Sequence, residues 1–234
     1  MHGWKLYVMT SITYRAHDTV RDGRALSIQK RFLLVFLACC IQAIYIPTSF
    51  RTTGGIEPKL PIDIFPIWPV WVVPYVLCYP LWFTGLTWIV LKMEDRIFRA
   101  AVAAFFFTFA IGTSIFIFFP TYVKATPLEG GNILVFLLRL IHENWGRYDA
   151  FPSGHVYITT LLALLYGRWY PHRKALWISI LIVVSLSTLF TGQHYVADIL
   201  GGYLVAFAGY HFGLWWVGFL PASNRTVKES GLLL

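Results

Sequence analysis

Six long apolar runs, separated by short polar stretches, dominate the sequence. Each run holds about twenty residues, the length that a helix needs to cross the hydrocarbon core of a bilayer. The pattern therefore predicts an all-α integral membrane protein with six transmembrane helices and both termini in the cytoplasm. The predicted tails are residues 1–31 and 218–234, and the predicted membrane catalytic domain is residues 32–217. The predicted spans are residues 32–50, 69–91, 100–119, 153–169, 174–191 and 195–217.

The composition supports a membrane protein. Hydrophobic residues make up 57% of the chain and charged residues only 13%, against about a quarter charged in soluble domains. The three cysteines, Cys39, Cys40 and Cys78, all fall in apolar runs and show neither a disulfide framework nor zinc-ligand spacing. The net charge of +8 does not indicate nucleic-acid binding, because the Lys and Arg residues cluster at the ends of the apolar runs.

The distribution of Lys and Arg predicts the orientation in the membrane. With the N-terminus in the cytoplasm, 14 of these residues lie on the cytoplasmic side and 5 on the opposite side. Such an excess follows the positive-inside rule. Two polar stretches, "DAFPSGHV" (149–156) and "FTGQHYVAD" (190–198), then emerge together on the non-cytoplasmic face, which is periplasmic, extracellular or lumenal.

Three side chains in these stretches are candidates for catalysis. His194 and Asp198 are four residues apart, a spacing that stacks side chains on one face of a helix. Asp198 is expected to accept a hydrogen bond from one ring nitrogen of His194 and leave the other nitrogen free as a nucleophile. His155 supplies a second imidazole that can protonate a leaving oxygen near neutral pH.

The start of the fourth span resembles a phosphate cradle. Ser153 offers a hydroxyl, and Gly154 allows a substrate oxygen to approach the backbone at a helix N-terminus, where anions bind. These residues suit a phosphate ester. The alternatives are interfacial histidines, a structural His–Asp pair, or a metal site made of the two histidines and the aspartate. Ionisable groups within membrane spans are usually functional, which favours a site.

The two motifs, "PSGH" (152–155) and "HYVAD" (194–198), resemble those of the type-2 phosphatidic acid phosphatase superfamily. The resemblance implies six spans and a site on the non-cytoplasmic face. It also implies that His194 forms a phosphohistidine, that Asp198 orients it, and that His155 protonates the leaving group, without a metal or cofactor.

Two departures from the family pattern bear on the substrate. The family's third signature has Arg after its serine, where this chain has Thr188, and the first signature, Lys-x6-Arg-Pro, is missing. Those cations hold the dianion of a phosphomonoester, so their loss favours a phosphodiester monoanion. Lys124 and Arg147 are candidate replacements in substrate binding.

The pattern is similar to that of the lipid phosphotransferase branch, which includes sphingomyelin and inositol phosphorylceramide synthases. We therefore expect a lipid phosphotransferase that acts on a phospholipid or lipid phosphate and an alcohol acceptor or water. The alternatives are a lipid phosphate phosphatase or phospholipid hydrolase and, further off, an inactive relative or a transporter. The apolar segment 132–145 is too short to span alone and is either an interfacial helix or an extension that packs on the bundle.

Overall fold

Eight α-helices follow one another along the residues that this computed structural model describes, 25–50, 54–124, 126–144 and 148–219. Two 3₁₀ turns, Pro69–Trp71 and Pro171–Arg173, lead into the third and seventh helices. Within these ranges there is no β-strand, although Ile56 and Thr121 form an isolated parallel bridge. The helices are α1 (Ile28–Ala43), α2 (Ile46–Ser49), α3 (Val72–Lys92), α4 (Asp95–Phe118), α5 (Ile133–Asn144), α6 (Gly154–Trp169), α7 (Lys174–Phe190) and α8 (Val196–Trp216).

Each predicted span corresponds to a helical segment, and the all-α prediction is confirmed. In the described part of the chain, four segments are long and apolar enough to cross a membrane: Ile28–Ser49, Pro69–Lys92, Asp95–Phe118 and Pro171–Phe190. These segments have the character of an integral membrane protein. Helix α6 has only 16 residues, and α8, although it has 21 residues, carries several Gly, Tyr and Trp residues that lower its hydropathy. The prediction of six spans therefore still depends on α6 and α8.

The first predicted span is divided into two helices. Helix α1 ends at Ala43, and α2 begins at Ile46 with Pro47 in its first turn. Because proline has no backbone N–H, Pro47 cannot donate the hydrogen bond to the Ala43 carbonyl that would continue α1. The break turns the chain at the end of the bundle where the two sequence motifs lie.

Helix α6 forms the centre of the bundle, because most of its residues are buried and it contacts α7 and α8. Helix α8 also packs closely on α4, and glycines allow this approach. A Cβ at Gly209 would collide with the Thr108 side chain of α4. A Cβ at Gly202 would lie 2.9 Å from the Ser153 carbonyl oxygen, so α8 also lies close to the start of α6. The outer faces present apolar side chains such as Phe36, Phe83 and Leu204, as expected where lipid replaces water.

The first and last described residues lie at the same end of the bundle. The backbone N–H of Leu26 donates to Asp95 at the start of α4, and Arg96 donates to the Gly218 carbonyl. The N-termini of α6 and α8 lie at the opposite end, where Thr121 follows α4 and accepts from Phe151 N. Residues 1–24 and 220–234, which make up most of the two predicted tails, lie outside the described residues.

Helix α5 is the segment for which the sequence left two interpretations. Asn132 caps it, since its side-chain oxygen accepts from the backbone N–H groups of Leu134 and Val135. Its buried face packs on α3 and the neighbouring 3₁₀ turn, and His142 Nε2 donates to the Thr191 carbonyl at 2.8 Å. Ile133 and Phe136 remain exposed on the outer face. The segment is thus an amphipathic helix fixed against the site end of the bundle.

Candidate active site

The two motifs meet at the N-termini of α6 and α8. Ser153, the residue before α6, donates its backbone N–H to the Asp198 carbonyl at 2.9 Å. His155 is the second residue of α6, and His194 lies in the turn between α7 and α8. The two imidazole rings face each other with centroids 5.9 Å apart and planes at 62°. The structure therefore brings together the three side chains that the sequence selected for catalysis.

The orientation of His194 is set mainly by the backbone. Its Nδ1 lies 2.9 Å from the Ala150 carbonyl oxygen and 3.5 Å from Asp198 Oδ2. Because a carbonyl oxygen only accepts, this contact assigns the proton to Nδ1 and leaves Nε2 as the unprotonated nitrogen. The structure thus provides the tautomer that nucleophilic attack requires.

Asp198 differs in detail from the sequence expectation of a direct hydrogen bond to His194. Helix α8 begins only at Val196, so His194 precedes the helix and the i, i+4 stacking of helical side chains does not apply to it. Asp198 Oδ2 instead accepts the backbone N–H of Tyr195 at 2.8 Å and caps the helix. Asp198 is fully buried beside the ring, and its Oδ1 has no hydrogen-bond partner among the described residues.

His155 lies among three aromatic side chains of α3. Its ring stacks on Tyr75 at a centroid distance of 4.3 Å, with Trp82 at 5.3 Å and Tyr79 edge-on at 5.6 Å. Trp82 is itself fixed, because its Nε1 donates to Thr159 Oγ1 at 3.0 Å. His155 Nε2 is buried and forms no hydrogen bond within the described part of the chain. The ring is thus held in place by aromatic packing.

A cavity of about 340 Å³ opens onto both histidines. Its walls come from α1, α2, α3, the end of α4, α5, the start of α6 and the turn before α8. Among the described residues that line it, none is Lys or Arg, and Asp149 is the only carboxylate. Its aromatic lining residues are Tyr45, Tyr75, Tyr79, Trp82 and Phe116. The walls are therefore aromatic and almost free of charge.

Asp149 is a site residue that the sequence reasoning did not select. It precedes α6 in the loop and lines the cavity with both histidines. Burial raises the pKa of its carboxyl group to about 6, although the nearby His194 acts in the opposite direction. The available signal was its position four residues before Ser153 in the first motif. Asp149 can therefore exchange a proton near neutral pH in the cavity that His155 and His194 also line.

The predicted substrate-binding residues occupy different environments. Gly154 lines the cavity, whereas Ser153 is completely buried and its hydroxyl has no partner among the described residues. Lys124 is exposed and does not line the cavity, and Arg147 lies outside the described residues, so their contacts with substrate stay predictions. Thr188, at the position of the missing arginine, is buried and donates to the Ser185 carbonyl.

A loop before α3 supports the turn that carries His194. Asp63 is 7% exposed, and its Oδ1 accepts the backbone N–H of Val196, the first residue of α8, at 2.9 Å. Its Oδ2 accepts from Leu60 N at 2.7 Å. Trp68 donates its backbone N–H to the Phe190 carbonyl and stacks on the Phe190 ring at 4.7 Å. No pattern in the sequence signals the contacts of Asp63 with Val196 and of Trp68 with Phe190, since more than one hundred residues separate the partners.

The described residues contain no group of three His, Cys, Asp or Glu side chains arranged to hold a metal ion. The site thus consists of two facing imidazoles, a buried aspartate beside one of them, a helix N-terminus and an aromatic cavity. These groups lie together at one end of a helical bundle with the character of a membrane protein.

A family model described as the PAP2 superfamily matches residues 68–212, which is more than half of the chain and contains both motifs. The protein therefore belongs to the PAP2 superfamily, as the motifs indicated. Members of this superfamily are typically phosphatases and phosphotransferases, which supports a lipid-directed enzyme. A comparison with curated proteins found no match.

Proposed function

We propose that this protein is a membrane lipid phosphotransferase that moves a phosphate-linked head group from a phospholipid to an alcohol acceptor through a phosphohistidine. The proposal rests mainly on His155 and His194, which line one cavity and whose ring centroids lie 5.9 Å apart. A nucleophile and a proton donor must act on opposite sides of the same phosphorus, so both imidazoles have to reach one bound ester.

In the first half-reaction, His194 Nε2 attacks phosphorus and forms a P–N bond. The bond between phosphorus and the departing alcohol oxygen breaks, and this oxygen takes a proton from His155. The Ala150 carbonyl and Asp198 stabilise the imidazole of His194 as it gains positive charge, since both present oxygen atoms towards Nδ1.

In the second half-reaction, the acceptor hydroxyl gives its proton to His155 and attacks the phosphohistidine. The P–N bond breaks, His194 regains its lone pair, and the head group leaves on the acceptor. The same residue acts as acid and then as base, as microscopic reversibility requires. An alcohol acceptor makes the reaction a transfer, whereas water in the same position makes it a hydrolysis.

The charge of the cavity supports a diester substrate. A phosphomonoester carries up to two negative charges, and such groups are bound by Arg or Lys. The described lining residues include neither. A phosphodiester carries one negative charge, which the backbone N–H groups at the start of α6 can accommodate. This difference favours transfer between diesters over phosphatase action on a lipid phosphate.

The proposed setting is a multi-pass arrangement of six spans with both termini cytoplasmic. The described chain ends lie opposite the site, and the excess of Lys and Arg marks the end with the termini as cytoplasmic. The cavity then opens on the periplasmic, extracellular or lumenal face, where a lipid head group reaches it from the bilayer.

One experiment tests the proposal. Purified protein is incubated in mixed vesicles with phosphatidylcholine, phosphatidylethanolamine or phosphatidylinositol labelled in the head-group phosphate, together with diacylglycerol and ceramide as acceptors. Label should move to a new lipid and should also be trapped on the wild-type protein after an acid-free quench, but not on His194→Gln. Release of label only into water would instead assign a hydrolase. Equal turnover by wild type and His194→Gln would exclude His194 as the nucleophile.

A further inference from the structure

Gln42 is a cavity residue with no role in the two proposed half-reactions. It lies in the last turn of α1, outside the residues 68–212 that match the family. Its side chain lines the same cavity as His155 and His194. A polar amide after the long apolar stretch of α1 is costly in a membrane unless its hydrogen-bonding groups are used.

One half of this amide is occupied by the protein. Tyr157 is completely buried, and its hydroxyl donates to Gln42 Oε1 at 2.7 Å. Since the hydroxyl needs an acceptor, the contact fixes the amide so that Nε2 is the remaining group. Gln42 forms no other hydrogen bond within the described residues. The two N–H donors of Nε2 therefore have no partner among the described residues, in a residue that lines the cavity.

The hydrogen bond to Tyr157 places these donors near the start of α6, where the phosphate cradle is predicted. The Tyr157 hydroxyl lies 3.5 Å from the position that a Cβ on Gly154 would occupy. The Gln42 amide thus contacts Tyr157, which in turn lies beside Gly154, the first residue of α6. Helix α1 is held at this level, because Thr113 Oγ1 donates to the Ile41 carbonyl at 3.1 Å. The arrangement is rigid enough to direct a donor towards a bound ester.

We infer that Gln42 binds the substrate phosphate by donating from Nε2 to a non-bridging oxygen, and that this neutral donor makes the site selective for a phosphodiester over a phosphomonoester. The inference rests on the proposed function and adds a specificity-determining residue to it. A neutral amide matches the single charge of a diester, whereas a second charge on a monoester would remain uncompensated.

The physical alternative is that Gln42 serves only to satisfy Tyr157. In that case any acceptor at position 42 would suffice, and the charge at this position would not affect substrate choice. Glu is the sharpest probe because it has the size of Gln and keeps the acceptor for Tyr157, but it replaces the two donors with negative charge. A change to Lys tests the opposite direction, since it brings in a cation where none lines the described cavity.

The test compares wild type, Gln42→Glu, Gln42→Leu and Gln42→Lys in vesicles. The substrates are the diester that wild type uses best in the labelled panel and phosphatidic acid as the monoester. Cys40→Ala is the matched control, because Cys40 lies in the same helix turn but is exposed on the outer face. Thermal unfolding in detergent establishes that each variant is folded.

We expect Gln42→Leu to raise KM for the diester about 10- to 100-fold, the range for losing a hydrogen bond to a charged group. Gln42→Glu should raise KM further, and Gln42→Lys should shift the kcat/KM ratio towards phosphatidic acid. Cys40→Ala should match wild type. If Gln42→Leu unfolds, KM of Gln42→Glu for the diester tests the role of Gln42, because this variant preserves the contact with Tyr157.

An active wild type together with an unchanged KM and substrate ratio in Gln42→Glu would overturn the role of Gln42 and leave the proposed function standing. A wild type that turns over none of the labelled diesters and carries no label at His194 would instead overturn the proposed function. The two failures are thus distinguishable within the same set of assays.

Discussion

The backbone N–H of Ser153 donates a 2.9 Å hydrogen bond to the carbonyl oxygen of Asp198. This single contact joins the two motifs, which lie more than forty residues apart in the chain. It holds the N-terminus of α6 against the first turn of α8, so His155 and His194 are placed relative to each other by main chain and not by flexible side chains.

The roles of the two histidines predict different kinetic losses. His194→Gln removes the nucleophile and should lower kcat by about 10⁴-fold or more. His155→Gln removes the proton donor and should cost about 10²- to 10⁴-fold on a phospholipid. With a p-nitrophenyl phosphodiester, whose leaving group needs no proton, the loss in His155→Gln should nearly disappear in the phosphoenzyme-forming step. His211→Gln, at an exposed position of α8, is the control. An equal loss on both substrates would argue against proton donation by His155.

Asp149 predicts a pH dependence of stability. Burial raises the pKa of its carboxyl group to about 6, above the value near 3.9 of an unfolded chain. Between about pH 4 and pH 6 the folded state binds more protons than the unfolded state, so the free energy of unfolding falls as the pH rises. This loss should amount to roughly 2–3 kcal/mol.

Asp149→Asn lacks this titration. Its Tm in detergent, measured from pH 4 to pH 7 beside that of wild type, should therefore rise relative to wild type as the pH increases. Other carboxyl groups cancel in the difference between the two proteins. Parallel Tm curves would show that Asp149 does not titrate in this range.

The close approach of α8 to the first motif predicts that Gly202 cannot be enlarged. In Gly202→Ala, the new Cβ would lie 2.9 Å from both the Ser153 carbonyl oxygen and Val156 Cβ. Overpacking of this kind should cost about 1–3 kcal/mol and shift the two histidines apart. Thermal unfolding and kcat should fall together.

Gly167→Ala is the matched control in a helix, because its Cβ would meet only Lys174 Cγ at an ordinary 3.5 Å. Alanine there should stabilise the protein by about 0.5–1 kcal/mol, since glycine is the poorer helix former. A Gly202→Ala protein with the Tm and kcat of Gly167→Ala would contradict the close packing.

The contact between Asp63 and α8 predicts a loss of catalysis without a loss of binding. Asp63→Ala leaves the N–H groups of Val196 and Leu60 without their acceptors and should cost about 0.5–2 kcal/mol as a lost helix cap. Because Asp63 does not line the cavity, kcat should fall more than KM rises. Asp63→Asn keeps one acceptor and should recover part of kcat. A variant that changes only KM would mean that Asp63 acts on substrate binding.

Local pattern was enough to predict the helices, because hydropathy and length decide which segments enter a bilayer. The predicted bounds of α6, 153–169, differ by one residue from the observed start at Gly154. The break between α1 and α2 was missed even though Pro47 was visible in the sequence. The hydropathy of residues 32–50 stays high across the proline and therefore predicts one continuous span.

Only the site residues whose side chains have a chemical role in the motifs could be predicted from the sequence. His155, His194 and Asp198 follow from their motifs, whereas the supporting contacts join residues that are distant in sequence. Gln42 meets Tyr157 across 115 residues, and Asp63 meets Val196 across 133. The Ala150 carbonyl was equally invisible, because any residue type supplies the same backbone oxygen. Contacts that depend only on how the chain folds leave no pattern in a single sequence.

The wall that α1 contributes to the cavity lies outside the residues that define the family. Our proposals therefore assign chemistry and substrate choice to separate stretches of one chain. His155 and His194 belong to residues 68–212, which match the family, while a helix ahead of them places Gln42 in the wall of the same cavity. Exchanging that helix between relatives is accordingly a route to new lipid specificities in which the machinery for phosphoryl transfer stays untouched.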